Sequence, residues 1–173
     1  MFDYIALNLI CCLLIKLPST VASERKNLCP VFAEFYEFKR HFEAIKDVLH
    51  NEDLITDISL LKANTLNNIH ASEHCCFLLK IGQFYLANVF PNVSDRSKTL
   101  QRHFSHLANS VLGLKIELKH CQSTMRCPCG MYSHQIVEDM KAEFYKLDME
   151  AASLKAVGEL NILFSWMERH FLI

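Results

Sequence analysis

Apolar residues recur every three or four positions along most of this chain, and the first clear stripe begins at residue 31. Its members, separated by 4, 3, 4, 3 and 4 positions, are Val31, Phe35, Phe38, Phe42, Ile45 and Leu49. Residues with this spacing lie on one face of an α-helix, and the charged residues between them fall on the other faces. Pro30 stands just before the stripe, where the first turn of a helix tolerates proline. The pattern predicts an amphipathic helix with one buried face.

Three later stripes have similar helical spacing. They are Leu100, Phe104, Leu107, Val111, Leu114 and Leu118; then Ile136, Met140, Phe144, Leu147 and Ala151; and finally Val157, Leu160, Phe164, Met167 and Phe171. Each stripe predicts a helix that buries its apolar face against neighbouring helices.

Residues 75–90 are apolar around most of a helical circumference, and Pro91 follows them. A helix that is hydrophobic on nearly all sides belongs in the middle of a bundle. Residues 51–72 are less regular and predict a connection with one short helix, whose apolar residues cover the bundle. No run of alternating Val, Ile or Thr residues suggests a strand. The predicted fold class is therefore all-α, a compact bundle of amphipathic helices.

The N-terminal segment determines which cysteine chemistry applies. Residues 5–15 form an apolar run too short to span a bilayer, and the small residues Val21, Ala22 and Ser23 follow. This pattern is typical of a secretory signal peptide, here residues 1–23, which leaves one domain at residues 24–173. A signal anchor is the alternative, because no Lys or Arg precedes the apolar run. Cleavage removes Cys11 and Cys12, and six cysteines in a secreted chain favour structural disulfides.

The six remaining cysteines are Cys29, the adjacent Cys75 and Cys76, and the cluster Cys121, Cys127 and Cys129. Neighbours on a trans peptide have Cα atoms about 3.8 Å apart, closer than in an ordinary disulfide, so a Cys75–Cys76 bond is not expected. A Cys127–Cys129 bond would close a very small loop around a proline. About ten of the roughly 15 connectivities stay open. In most of them Cys75 and Cys76 pair with the late cluster.

The composition and motifs argue against several function classes. A formal net charge of −1 gives no basic surface for nucleic acid or an anionic membrane. The chain has no Gly-x-Ser-x-Gly, His-Glu-x-x-His or glycine-rich phosphate loop, so no enzyme and no cofactor is predicted. No metal is expected, because the cysteine and histidine spacings lack the paired arms of zinc sites. The histidines are interpreted as solvated helix residues, with a pH switch at His103 and His106 as the alternative.

One modification site is expected. Asn92-Val93-Ser94 is an N-glycosylation sequon that follows Pro91, at the predicted end of a helix. Such a position leaves the asparagine in a surface turn. A glycan on Asn92 is therefore predicted.

Residues 155–163, Lys-Ala-Val-Gly-Glu-Leu-Asn-Ile-Leu, together with the spacing of the six cysteines, resemble the interleukin-10 cytokine family. The doubled cysteine and the Cys-x-Cys are most similar to its interleukin-19, interleukin-20 and interleukin-24 branch. The resemblance implies disulfides Cys29–Cys121, Cys75–Cys127 and Cys76–Cys129 in a bundle of six to seven helices, the class II helical cytokine type. It also implies a secreted monomer that pairs two class II cytokine receptor chains, of the interleukin-20 receptor type, and triggers JAK-STAT signalling.

By the same resemblance, one receptor chain contacts the first predicted helix, the connection after it and the last helix. The other chain contacts the first helix and the fourth, which carries the stripe from Leu100 to Leu118. The candidate receptor-binding residues are Glu37 and Arg40 in the first helix, Lys98 and Arg102 in the fourth, and Lys155, Glu159, Asn161, Glu168 and Arg169 in the last. They are expected to project into solvent, away from the apolar stripes. Asn161 is a departure, because the family usually has Asp at this position.

Two functions from other classes are kept as alternatives. The very apolar predicted helix at residues 75–90 and the 12 phenylalanines of the chain suggest a secreted helical carrier of a small apolar ligand. Such a carrier would have an internal cavity. A zinc-dependent secreted hydrolase is the second, although the cysteine spacing already argues against it.

Overall fold

In the computed structural model, which describes residues 32–93, 98–124 and 127–171, all regular structure is helical. The α-helices are α1 (Phe32–Glu43), α2 (Lys46–Glu52), α3 (Ala63–Asn67), α4 (His74–Phe84), α5 (Lys98–Ser123), α6 (Met131–Phe144), α7 (Met149–Gly158) and α8 (Leu160–Phe171). The predicted all-α bundle is confirmed. None of the described helices combines the length and the apolar composition that crossing a membrane requires. The predicted signal peptide, Cys29, Pro30 and Val31 lie outside the described residues.

The first predicted helix is divided into α1 and α2, although its apolar stripe is continuous. Phe35, Phe38, Phe42, Ile45 and Leu49 are all buried, as their spacing predicts. At the junction the amide of Ile45 donates to the carbonyl oxygen of Phe42 at 2.9 Å, and this i to i−3 bond tightens the turn. The chain changes direction there, so that α1 packs on α5 and α8, whereas α2 packs on α7.

α4 lies in the centre of the bundle, as its apolar circumference predicts. Residues 74–79 are all buried, and the helix packs on both α5 and α6. It continues into a π-helix (Tyr85–Val89) and a 3₁₀-helix (Phe90–Val93). The buried hydroxyl of Tyr85 donates to the carbonyl oxygen of Ala156 in α7 at 2.7 Å. The most apolar segment of the chain therefore holds the outer helices together.

Two of the predicted disulfides are confirmed at the start of α4. Cys75 is bonded to Cys127 and Cys76 to Cys129, with Cα atoms 5.3 and 5.2 Å apart. Together they fasten the segment before α6 to the central helix. Cys121 is buried near the end of α5. Since Cys29 lies outside the described residues, the Cys29–Cys121 bond stays a prediction.

The predicted stripe from Ile136 to Ala151 does not form one helix. α6 ends at Phe144, and Leu147 and Ala151, which continue the apolar spacing, are only partly buried. Asp148 begins α7 instead, because its carboxylate accepts hydrogen bonds from the amides of Glu150 and Ala151, both at 3.1 Å. The cap at Asp148 thus starts a new helix, although the apolar residues keep the same spacing on both sides of it.

The core between α1 and α4 leaves little empty space. An apolar void among Phe38, Leu78, Ile81 and Tyr85 measures about 10 Å³, which is room for one water molecule at most. A carrier of a small apolar ligand needs a cavity many times larger. This part of the core therefore gives the carrier alternative no support.

Candidate functional site

The connection between α2 and α4 runs alongside α7 and α8 in the same direction. The hydrogen-bonded pairs along it are, in order, Asp53 with Lys155, Leu61 with Glu159, Leu66 with Trp166, and Asn67 with Arg169. Because both partners advance together along the chain, the two segments make one continuous surface. We name it the connection–α8 surface and define it by its exposed residues Leu54, Asn67, Asn161, Ser165 and Arg169.

Lys155 is the centre of a buried ionic network at one end of this surface. Its Nζ donates to Asp53 Oδ2 at 3.0 Å and to the carbonyl oxygen of Ile55 at 2.6 Å, and it lies 3.4 Å from Glu159 Oε1. Burial lowers the pKa of Lys155, but the hydrogen bond to Asp53 and the two carboxylate charges outweigh burial, so the pKa is raised. The amine is therefore charged, and its charge is neutralised within the molecule.

Glu159 satisfies backbone groups of the connection. Its Oε2 accepts hydrogen bonds from the amides of Leu60 at 2.8 Å and Leu61 at 2.7 Å. At the same residue α7 ends and α8 begins, and the amide of Ile162 donates to the carbonyl oxygen of Glu159 at 3.0 Å. This i to i−3 bond tightens the turn between the two helices. The carboxylate of Glu159 thus fixes the connection, and its backbone carbonyl oxygen takes part in the turn at the helix junction.

The prediction that Lys155 and Glu159 project into solvent is wrong, because each is only 8% exposed. The prediction assumed one continuous helix with a polar outer face, whereas α7 is enclosed after its first turn, and all residues from 152 to 160 are buried. The sequence does carry a signal for this. Residues 151–158 contain no charged residue other than Lys155, so the lysine has no polar helix face to join.

Asn161, Ser165 and Arg169 lie one helical turn apart on the exposed side of α8. The exposure predicted for Asn161 and Arg169 is confirmed, and the spacing could also have identified Ser165. The side-chain oxygen of Asn161 accepts a hydrogen bond from the amide of Ile162 at 2.9 Å. Arg169 Nη2 donates to Asn67 Oδ1 at 2.9 Å and so joins α8 to α3.

Glu168 is on a neighbouring face of α8 and is less exposed than predicted. Its carboxylate forms an ion pair with Lys39 of α1, and both side chains are partly buried. The helical spacing of either segment could not predict this pair, because it depends on how α1 packs against α8. Glu168 and Lys39 therefore form the border between the connection–α8 surface and α1.

Leu54 is 88% exposed, and the prediction that the apolar residues of the connection cover the bundle is wrong for this residue. Its two neighbours explain the exposure. Asp53 and Ile55 are both bound to Lys155, one through its carboxylate and the other through its carbonyl oxygen. The ionic network therefore fixes the backbone on both sides of an apolar side chain that projects into solvent.

A second polar surface lies where α1 packs against α5. The two helices are antiparallel, since Glu34 contacts Gly113 and His41 stacks on His106. Glu37 and Arg40 are exposed and form an ion pair at 2.6 Å, and Lys98 and Arg102 are exposed at the start of α5. The exposure predicted for these four residues is confirmed. We name Glu37, Arg40, Lys98, Arg102 and the stacked histidines the α1–α5 surface.

The histidines of the α1–α5 surface contact one another. The rings of His41 and His106 are stacked with centroids 4.4 Å apart, and His103 lies 6.4 Å from His41. Burial lowers the pKa of His41, and the neighbouring His106 and Arg40 lower it further, although Glu37 opposes them. The pH switch at His103 and His106 stays an untested alternative.

Four of the five described cysteines offer no thiolate for the zinc alternative. Cys75, Cys76, Cys127 and Cys129 are consumed in disulfides. Across the described ranges, no group of three or more His, Cys, Asp or Glu side chains is arranged to hold a metal ion. The zinc-dependent hydrolase therefore gains no support from this geometry.

Comparison with known families and sequences points to one group of proteins. The sequence profile of the family described as Interleukin 10 matches residues 10–173. Interleukin-20 of Mus musculus is 36% identical over 141 residues, which are 81% of this chain and 80% of the relative. Interleukin-24 of Mus musculus is 32% identical over 132 residues, which are 75% of this chain and 73% of the relative.

Solved structures agree with the sequence comparison. A sequence-edited human interleukin 24 superposes with a TM-score of 0.67 at 30% identity and covers 80% of this chain and 91% of its own. Human interleukin-19 superposes with a TM-score of 0.68 at 22% identity, covering 79% and 88%, and this second likeness concerns the fold alone.

Proposed function

Because this chain belongs to the interleukin-10 family of cytokines, in its interleukin-19, interleukin-20 and interleukin-24 branch, we propose that it is secreted and pairs two class II cytokine receptor chains. In this proposal the receptors are of the interleukin-20 receptor type, and their pairing triggers JAK-STAT signalling. The cytokine acts as a monomer with two separate surfaces. The connection–α8 surface binds one chain and the α1–α5 surface binds the other.

The observation that carries the proposal is the fixed course of the connection beside α7 and α8. A protein that recognises its partner with exposed side chains needs them in one place before binding, because ordering them during binding costs affinity. Here the buried Lys155 and Glu159 hold the connection at Asp53, Ile55, Leu60 and Leu61. In the proposal these two residues therefore position the surface and do not contact the receptor.

Leu54 is the proposed apolar anchor of this surface. Leu54 is 88% exposed, and its backbone is fixed on both sides by Lys155, so a partner can cover the side chain without first ordering it. Interfaces concentrate their binding energy in a few side chains that become fully buried on binding. Asn161, Ser165 and Arg169 provide the polar part of the surface on α8.

We expect Leu54→Ala and Arg169→Ala each to weaken binding of one receptor chain by about tenfold or more, since side chains that anchor an interface cost over about 1 kcal/mol when truncated. Asn161→Asp should change the affinity in either direction, because it adds a charge that the partner must match. Surface plasmon resonance on purified ectodomains measures these affinities.

The matched controls are Met131→Ala and Lys146→Ala. Met131 is a 90% exposed apolar residue at the start of α6, and Lys146 is an exposed cation paired with Glu143. Their receptor affinities should stay within about twofold of wild type, and all five variants should keep their stability within about 0.5 kcal/mol. Wild-type affinity in Leu54→Ala, Arg169→Ala and Asn161→Asp, all folded, would show that the connection–α8 surface is not the receptor site.

A glycan on Asn92 is a further part of the proposal. Asn92 is exposed at the end of the bundle, and its side-chain nitrogen donates to the carbonyl oxygen of Asn88 at 2.6 Å. Protein made in a eukaryotic secretory pathway should lose mass on treatment with an N-glycosidase, and Asn92→Gln should not. Ser94, the third residue of the sequon, lies outside the described residues. An unchanged mass of the wild-type protein would refute the glycan.

A further inference from the structure

A cluster of three rings joins the C-terminal half of α8 to the start of α4. His74, at the start of α4, is 7% exposed, and its ring centroid is 4.7 Å from His170 and 4.8 Å from Trp166. Trp166 and His170 are themselves 5.3 Å apart. We name these three residues the histidine–tryptophan cluster. It joins the central helix to the helix that carries Asn161, Ser165 and Arg169.

Two rings of the cluster donate hydrogen bonds to backbone carbonyl oxygens. Nε2 of His74 lies 3.0 Å from the carbonyl oxygen of Ile69, which can only accept, so this nitrogen carries the proton. Trp166 Nε1 donates to the carbonyl oxygen of Leu66 at 2.9 Å. The two rings therefore hold both α8 and the end of the connection against α4.

Two titratable groups lower the pKa of His74, and both become cationic in acid. They are His70 from the connection and His170 from α8. Arg169, next to His170 in sequence, is always cationic and lowers the pKa of His170. The adjacent carboxylate of Glu73 is directed towards α6, where it accepts a hydrogen bond from the amide of Ser133 at 3.0 Å. Protonation of His74 and His170 would thus place like charges side by side in a largely buried position.

The direction of the pH effect follows from burial and these neighbours. Burial lowers the pKa of His74, and His170 and His70 lower it further, although the hydrogen bond to Ile69 opposes them. Burial and Arg169 lower the pKa of His170. The unfolded chain therefore binds these protons first, so stability is complete above the ordinary histidine pKa of about 6.5 and is lost as the pH falls below it.

We propose that the histidine–tryptophan cluster makes the docking of α8 acid-sensitive, so that mild acid loosens the connection–α8 surface and releases a receptor bound there. The loosening of α8 follows from the cluster itself, whereas the release of a receptor rests on the proposed function. A receptor complex taken into an acidic compartment would then dissociate, while the same complex at the cell surface would persist.

The fluorescence of Trp166 tests the loosening without any receptor, because Trp166 is the one tryptophan of the chain. Emission of the full-length secreted protein is recorded from about pH 8 to about pH 5, across the range in which histidine titrates. We expect the emission of wild type to change in a transition centred below about pH 6.5. The double variant His74→Gln/His170→Gln should show no transition, since glutamine can donate the same hydrogen bond without titrating.

Two further variants keep the test decisive. His170 is partly exposed, and replacing it leaves the buried hydrogen bond of His74 intact. The variant His170→Gln should therefore fold even if the double variant does not. Its transition should move to higher pH, because one of the charges that lowers the pKa of His74 is gone. His120→Gln, at an exposed position near the end of α5, should behave as wild type. A wild-type emission that is flat across the range, or an unshifted transition in His170→Gln, would overturn the proposal.

The release of the receptor in acid is tested by surface plasmon resonance with a captured receptor ectodomain. The dissociation rate of wild type should rise severalfold between about pH 7.5 and about pH 5.5, because protonation of the cluster opposes the docking of α8. In His170→Gln the rise should be smaller. An equal rise in both proteins contradicts the release. Absence of binding at neutral pH would instead contradict the proposed function, and the fluorescence transition would remain as the separate test of the cluster.

Discussion

Replacing Glu159 with alanine is expected to lower the free energy of unfolding by about 3–5 kcal/mol, because it removes one partner from a buried ionic network. The change leaves the amides of Leu60 and Leu61 without their acceptor and takes one of two carboxylates from Lys155. Urea unfolding followed by the emission of Trp166 measures the loss. The affected groups lie at the helix junction, so the connection should also become mobile.

A matched acidic residue provides the control. Glu143 forms an exposed ion pair with Lys146 three residues later, and such surface pairs contribute about 0–1 kcal/mol. Glu143→Ala should therefore unfold close to wild type. If Glu159→Ala and Glu143→Ala unfold at the same urea concentration, the buried network does not fix the connection.

Removing the Cys76–Cys129 disulfide should be almost as damaging. The bond spans a sequence separation of 53 residues, and loop-entropy arithmetic assigns about 4 kcal/mol to a bridge of that length. Alanine at both positions is the appropriate change, since Cys76 is fully buried and serine would add a polar group. Thermal unfolding by circular dichroism gives the result.

The comparison with reduced protein identifies the bond as the cause. A reductant should destabilise wild type strongly and should have a smaller further effect on Cys76→Ala/Cys129→Ala. An unfolding temperature of the double variant equal to that of oxidised wild type would contradict this account of the bridge.

The sequence predicts the helices better than their ends. Apolar spacing identifies Phe35, Phe42, Leu107 and Phe164 as core residues, because burial on one helix face repeats with a fixed period. It does not identify the break at Ile45 or the cap at Asp148. The break depends on one hydrogen bond and the cap on two, and neither changes the apolar period.

The exposure of the candidate receptor-binding residues is likewise predicted correctly for some of them and wrongly for others. A charged residue between apolar positions projects into solvent only if the helix has an outer face, which holds for Arg40 and Arg169. It fails for Lys155 and Glu159, because α7 is enclosed and the connection supplies their partners from about 100 positions away in the chain. The exposure of Leu54 follows from the same long-range contacts, so local spacing cannot reveal it.

In the proposed function, this cytokine brings two receptor chains together through two separate surfaces. In the most direct test, the purified protein is titrated against pairs of class II receptor ectodomains at neutral pH, and the mass of each complex is determined in solution. The account predicts one cytokine with one copy of each of two chains, reduced to a binary complex by Leu54→Ala with Arg169→Ala. If the folded protein binds no class II ectodomain, singly or in pairs, or if both chains compete for the same surface, the account is contradicted.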